Sequence, residues 1–273
     1  MPSHPHYTFT LRLIGITFLV FSLLLMLFWM GRTTSAESSQ QITTASVINT
    51  ITVNSLSDAA NGNDGLCTLR EAITAANTNT ASGAVAGECA AGSSSSSDTI
   101  SLTGLAGTIN VQTVLPNITS DMNINGPGSA VLTILRGGSN FIMFFITATA
   151  HASISGVTVQ GADPTSNFGI NSAGNLSLSD CVVSGFGRGI GSAATSSQFV
   201  ITISNCTITG NLNGGGISTG EATVNVINSV ISGNGSNGAF GPAIDNSFGI
   251  LNVTNTTIAN NTGHIAVMNG VEG

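Results

Sequence analysis

Few side chains in this 273-residue chain can do chemistry: 5 are Lys or Arg and 12 are Asp or Glu. No lysine occurs at all, which excludes a lysine nucleophile or base. Cleaving a glycosidic bond takes two or three carboxylates held close together, or an Arg or Lys base beside a calcium cluster. The C-terminal half offers Asp163, Asp180, Glu221 and Asp245, with Arg136 and Arg188. The best carboxylate pair is Glu221 in GEAT and Asp245 in AIDN, one repeat unit apart. His151 and His264 stand alone and are expected as loop residues. In DAANGNDG, Asp58, Asn61, Asn63 and Asp64 bring hard oxygens around glycine turns, as a Ca²⁺ loop would, but no bidentate Glu closes the loop. An ordinary Asn/Asp/Gly turn accounts for the same residues, and no other cofactor is expected. The four cysteines, Cys67, Cys89, Cys181 and Cys206, form no C-x₂-C pair, which argues against zinc. As disulfide formers they allow three pairings.

The rest of the composition says what must position these groups. Gly is 34, charged residues are 6%, and Ser, Thr and Asn are abundant, yet 41% of the chain is apolar. Without a basic patch, binding nucleic acid through its phosphates is not expected. Helices with charge-solvated outer faces are excluded as well. The apolar content is too high and too regularly placed for disorder. What remains is an uncharged, turn-rich β protein.

The N-terminus is expected to direct export. Leu13 to Met30 is an uncharged apolar run, and Thr34-Ser35-Ala36 places small residues before Glu37 as a cleavage site would. Two readings of residues 1–36 stand: a cleaved signal peptide, or an uncleaved membrane anchor through residues 13–30. Either leaves residues 37–273 extracytoplasmic, secreted or at a cell surface, and all four cysteines lie there, where disulfides form.

Residues 37–50 are a polar linker, followed by a short strand from Ile51. CTLREAITAAN (67–77) is the one convincing helix of the exported part. Thr68 and Glu71 stand at capping-box spacing, and Leu69, Ala72, Ile73 and Ala76 make one apolar face. Asn77 is expected to end it in the left-handed conformation. Arg70 is expected to contact loop carbonyls.

From residue 98 a repeat takes over. LSLSDCVVSG (176–185), ITISNCTITG (201–210), VNVINSVISG (224–233) and LNVTNTTIAN (251–260) align, with ASISGVTVQG (152–161) as a fifth member. Their starts give a period of about 24 residues. The first, third and eighth positions are apolar, and the fifth carries Asp180, Asn205, Asn228 and Asn255. A second short apolar element ending in Ile follows each unit, at Ile170, Ile190, Ile217 and Ile244. Such a period, with a fixed turn residue and variable loops, is expected of an all-β parallel β-helix with one coil per unit. The fifth-position residues would stack as a hydrogen-bonded turn ladder. About six to eight coils fit into 98–273, and the helix would plug the N-terminal end. Cys181 and Cys206 share one repeat position on adjacent coils, either as two small buried side chains or as a disulfide.

CTLREAITAAN closely resembles the signature of the CSLREA-domain family of exported bacterial proteins. The resemblance covers about residues 51–110: a TVNS-like strand, an acidic Gly/Asn loop, the Cys-x-Leu-Arg-Glu-Ala-Ile core, and Asp98-Thr-Ile-x-Leu. It implies that residues 51–97 form a capping region ahead of a right-handed, pectate-lyase-like parallel β-helix. Family members commonly carry a second cysteine near the motif, which implies a Cys67–Cys89 disulfide. The resemblance implies no catalytic activity.

Two functions follow as expectations. One is a non-enzymatic bacterial surface or secreted protein that binds glycans or cell surfaces. It could also self-associate through an open C-terminal end, since no cap is readable before Gly273. The other is a carbohydrate-active enzyme, a polysaccharide lyase or glycoside hydrolase, using Glu221 and Asp245.

Overall fold

The computed structural model describes residues 49–138, 140–164, 167–193, 198–235, 241–263 and 267–269. The export segment, the run 13–30, most of the expected linker, His264 and Gly273 lie outside the described residues. Among the described residues no helix is long and apolar enough to cross a membrane.

Every strand pairs in parallel, and the chain winds through three sheets in turn. The first sheet is β1 (Asn49–Thr52), β2 (Asp98–Ser101), β4 (Met122–Asn125), β7 (His151–Ser155), β10 (Asn175–Ser179), β13 (Val200–Ser204), β16 (Thr223–Ile227) and β19 (Ile250–Thr254). The second is β3 (Gly107–Val111), β5 (Leu132–Arg136), β8 (Thr158–Gly161), β11 (Val182–Ser184), β14 (Thr207–Thr209), β17 (Val230–Ser232) and β20 (Thr257–Ala259). The third is β6 (Phe144–Ile146), β9 (Phe168–Ser172), β12 (Arg188–Ser192), β15 (Ile217–Thr219), β18 (Ile244–Asn246) and β21 (Val267–Asn269). This is a parallel β-helix. Each coil takes one strand from each sheet, and the 6-stranded third sheet marks six complete coils. An incomplete coil precedes them, its third face reduced to the bridge Ile118–Ile146.

Strand alternation makes the core. In the first sheet Leu176, Ile201 and Val224 stack in register, as do Leu178, Ile203 and Val226. Ile170, Ile190, Ile217 and Ile244 form the matching file in the third sheet. All ten are buried, and each such side chain contributes about 1.5–3 kcal/mol when withdrawn from water. The last coil differs: Val253, which continues the Val226 file, is 42% exposed.

The corners explain the fixed polar positions, and here the expected ladder needs correction. Asp180, Asn205, Asn228 and Asn255 all have left-handed backbones, with φ of 55°, 53°, 50° and 47°. Gly156 holds the same place in the fifth unit with φ 62°. Asn, Asp and Gly recur there because they adopt this conformation at least cost. The turn sends their side chains into solvent, so hydrogen bonding along the file is sparse: Asn255 Nδ2 donates to Asn228 Oδ1 at 2.8 Å.

The continuous amide ladder lies six positions further on, at Asn211, Asn234 and Asn261. Asn211 and Asn234 are buried. Asn211 Nδ2 donates to Asn234 Oδ1 at 2.9 Å, and Asn234 Nδ2 to Asn261 Oδ1 at 3.0 Å. The same oxygens accept the backbone N–H groups of Asn211 and Asn234, and each Nδ2 also donates to the carbonyl two residues back. The ladder ends where Phe186 N–H donates to Asn211 Oδ1. The sequence signal was the dipeptide after each eighth-position strand: Gly210-Asn211, Gly233-Asn234, Asn260-Asn261.

A second file occupies the sixth position: Val157, Cys181, Cys206 and Ser229, which are buried, and Thr256, which is half-buried. Cys181 Sγ, Cys206 Sγ, Ser229 Oγ and Thr256 Oγ1 each donate to the carbonyl two residues back, at 3.2, 3.2, 2.8 and 3.0 Å. Cys181 and Cys206 are free thiols in this file and act as serine analogues, so they form no disulfide. Cys206 is held well above the ordinary thiol range, chiefly because it hydrogen-bonds Cys181 and also because it is buried.

At the N-terminal end α1 (Leu69–Thr78) packs on β1 and β2. Thr68 is its N-cap, and the reciprocal capping box with Glu71 is present. Leu69, Ala72, Ile73, Ala75 and Ala76 are buried. The helix ends later than expected, at a left-handed Asn79 with φ 54°. Asn77 instead ties the helix to the first coil, donating to Asn117 O at 2.7 Å and accepting from Thr119 N–H at 2.9 Å. A disulfide joins Cys67 and Cys89. The first strand starts at Asn49 rather than Ile51, because pairing with Asp98 and Thr99 draws the last two linker residues into the sheet.

Candidate functional site

A cleft of about 410 Å³ opens on the outer face of the first sheet. Its floor crosses the N-terminal ends of five successive strands, from β2 to β13. Ser97, Asp121, His151, Asn175 and Val200 line its edge, and Asn123, Ser153, Ser177 and Thr202 its outward row. That row is in register, Asn123 beside Ser153, Ser153 beside Ser177, and Ser177 beside Thr202. Neighbouring strands lie about 4.8 Å apart, so a neutral hydrogen-bonding group recurs at that interval. Asp121 carries the one carboxylate of the lining.

Asp121 and His151 come from successive coils, each just before the first inward residue of its strand. Asp121 Oδ1 lies 3.0 Å from His151 Nδ1 and also accepts the His151 backbone N–H at 2.8 Å. Both side chains are about half exposed, so the pair adds little stability. What it does is orient the ring, leaving Nε2 as its second donor or acceptor. His151 therefore does not stand alone, as the sequence suggested. Aligning the residue before each unit's first apolar position would have brought Asp121 and His151 together.

The chain matches no family model, no curated protein and no solved structure.

The residues expected to do chemistry occupy other places. Asp245 sits in β18 beside Ser218, and its Oδ1 accepts the Ser247 hydroxyl. Glu221 lies in the exposed corner between β15 and β16. No hydrogen bond joins the two, and neither lines the cleft. Asp163 is exposed beside Arg136, which is buried. The Arg136 guanidinium donates to Phe141 O and Asp163 O at 2.8 and 3.1 Å and lies 4.8 Å from the Phe186 ring centre. Burial lowers its pKa from the ordinary arginine range, and the Asp163 charge opposes that shift. Arg188 is exposed over the Phe168 ring, 5.2 Å from its centre.

The expected calcium loop has turned its side chains to other work. Asp58 pairs with Arg70 at 2.8 Å, and its Oδ2 accepts the Gln112 N–H at 2.8 Å. Asn63 Oδ1 accepts the Ala84 N–H, and Asp64 Oδ1 the Leu66 N–H. Asn61 is exposed. These oxygens close turns and do not converge, and no cluster of three metal-ligating His, Cys, Asp or Glu occurs among the described residues. Arg70 also reaches Thr113 O and Val114 O at 2.8 and 2.6 Å, which ties α1 to the first coil.

Proposed function

We propose that this chain is an exported bacterial binding protein, non-enzymatic, whose first-sheet cleft holds a neutral glycan. The observation that carries the reading is the cleft itself, with hydroxyl and amide groups repeating coil by coil and the Asp121–His151 pair at one edge. A sugar chain offers vicinal hydroxyls that both donate and accept, and a row of Ser, Thr and Asn answers both demands. The single carboxylate and the net charge of −7 disfavour uronic or sialic acid chains. Export is supported by the Cys67–Cys89 disulfide, which persists in oxidising compartments. It is supported also by the apolar run before Glu37. We infer membership of the CSLREA-domain family from the CTLREAITAAN motif and the cap it builds.

The test is a glycan array carrying neutral, acidic and amino sugars, probed with the wild type and with Ser177→Arg, which fills the middle of the cleft. The wild type should be retained on neutral chains without releasing fragments, and the variant should lose retention with an unchanged circular dichroism spectrum. Retention that survives Ser177→Arg, or a wild type that binds nothing, sinks the reading. Released oligosaccharides would move the protein to the enzyme class. Sequencing the N-terminus of exported protein checks the export step: a start at Glu37 means a cleaved signal, a start near Met1 an anchor.

A further inference from the structure

Asparagine followed by glycine is a reactive pair, because glycine has no Cβ to screen its main-chain nitrogen from the carboxamide beside it. Six such pairs occur in the chain, at Asn61, Asn125, Asn213, Asn234, Asn237 and Asn269. Asn237, and Gly270 after Asn269, lie outside the described residues, which leaves four pairs to compare. A nitrogen committed to a carbonyl and a carboxamide held by its own partners cannot turn toward one another.

Three of the four are pinned. Asn234 is buried in the amide ladder, its Nδ2 donating to Ile208 O at 2.8 Å, and the Gly235 N–H donates to Asn211 O at 2.9 Å. Asn125 Oδ1 accepts the Ser155 hydroxyl at 3.2 Å, while the Gly126 N–H donates to Ser155 O at 2.8 Å. Asn213 is exposed, but its N–H donates to Gly187 O at 2.9 Å, and Gly214 lies so close to the Arg188 side chain that no Cβ would fit between them. Asn61 differs on every count. Asn61 and Gly62 are both exposed at the entry to a turn, and neither the Asn61 carboxamide nor the Gly62 N–H has a hydrogen-bond partner among the described residues.

We infer that Asn61 is a self-modifying site, converted in the folded protein to aspartate and isoaspartate. The Gly62 nitrogen attacks Asn61 Cγ and gives up its proton, the carboxamide C–N bond breaks, and ammonia leaves. Water then opens the cyclic imide. Opening at the side-chain carbonyl gives aspartate, and opening at the main-chain carbonyl gives isoaspartate, with the chain rerouted through the former side chain. Water is the sole co-reactant, and nothing is oxidised or reduced. Either product sets a new negative charge between Asp58 and Asp64, in the loop whose Asp58 pairs with Arg70. Isoaspartate also lengthens the main chain beside Gly62, which already packs on the Ser82 carbonyl: a Cβ there would stand 2.6 Å from that oxygen. The cap therefore ages before the coils do.

Peptide mapping by mass spectrometry tests it, on full-length protein incubated in mildly alkaline buffer, either folded or unfolded in guanidinium chloride with the disulfide reduced. In the folded protein the amide-to-acid mass change should accumulate at Asn61 while Asn125, Asn213 and Asn234 remain amides. In the unfolded chain, where no structure selects, all four should convert at similar rates. Asn61→Gln keeps an amide but needs a larger, slower-forming ring, so the conversion at this position should vanish. A folded protein in which Asn61 stays an amide overturns the inference. So does one in which Asn125, Asn213 or Asn234 keeps pace with it.

Discussion

Between Asn49 and Asp98 the chain gathers a disulfide, the Arg70–Asp58 ion pair and four further carboxylates, each with its own non-repeating partners. From β4 onward cohesion comes from files: aliphatic side chains in register, buried Asn on Asn, and thiols or hydroxyls closing one corner. The contrast follows from what each region must do. Coils stacked about 4.8 Å apart would set like charges opposite one another along the whole axis, so neutral amides and hydroxyls recur. The cap meets the stack once, at its end, and there charges find distinct partners. An interaction made once is lost whole when cut, whereas a file shares a loss between neighbours.

The largest way to break this comparison is at the disulfide. Cys67 and Cys89 are 22 residues apart, and opening a loop of that length costs about 3 kcal/mol. Reduction, or Cys89→Ser, should lower the urea midpoint accordingly and make 80–97 the first site of proteolysis. Cys181 and Cys206 are free thiols, so Cys206→Ser under oxidising conditions should leave the midpoint nearly unchanged. An equal loss from both substitutions would mean that cap and coils are held by similar means.

A smaller effect separates two asparagine files inside the coils. Asn234→Ala removes the oxygen that receives both the backbone N–H and the Nδ2 of Asn211, leaving buried donors at about 1–3 kcal/mol each. Asn228→Gly keeps the left-handed turn at φ 50° and removes an exposed side chain, so it should cost only a few tenths of a kcal/mol. Urea unfolding of the two variants tests the ranking. If Asn228→Gly proved the more damaging, the ladder would belong at the fifth position after all.

That reversal shows where reading the chain stops short. The period, the inward first, third and eighth positions and the Ile files were all readable, because burial repeats along a solenoid and leaves a period. The Asn at the fifth position was equally visible but carried the wrong explanation: recurrence was read as hydrogen bonding, when backbone conformation was enough to require it. Asn211, Asn234 and Asn261 were hidden because Phe186 breaks their column and a variable loop follows each of them. The third-sheet strand of the second coil escaped notice since Phe144–Ile146 lies inside a longer apolar run. Asp121 and His151, 30 residues apart, become neighbours only once the longer loops of that coil are aligned. Glu221 and Asp245 fall one repeat apart, but equal spacing brings residues together only when both sit at the same place in the coil. Asp245 opposes Ser218 rather than Glu221.

The smallest expected effect divides the cap's own carboxylates by pH. Asp98 is buried, and that burial raises its pKa against hydrogen bonds from the Ser93 N–H and Asn49. Its contribution to stability is present below the unfolded carboxylate range and is lost as pH rises through the raised value. Glu88 is shifted the other way, lowered first by the Ser82 hydroxyl and then by the Gly65 N–H. Its contribution is present above the unfolded range and is lost as pH falls through the lowered value. The two slopes oppose each other, so the cap of the wild type responds weakly to acid. Urea midpoints between about pH 3 and pH 6, a span that brackets the usual carboxylate range, should fall more steeply on acidification in Asp98→Asn, which has lost the gain, and less steeply in Glu88→Gln, which has lost the penalty. Parallel curves for both variants and the wild type would show that these carboxylates, like the coils, hold the fold without regard to charge.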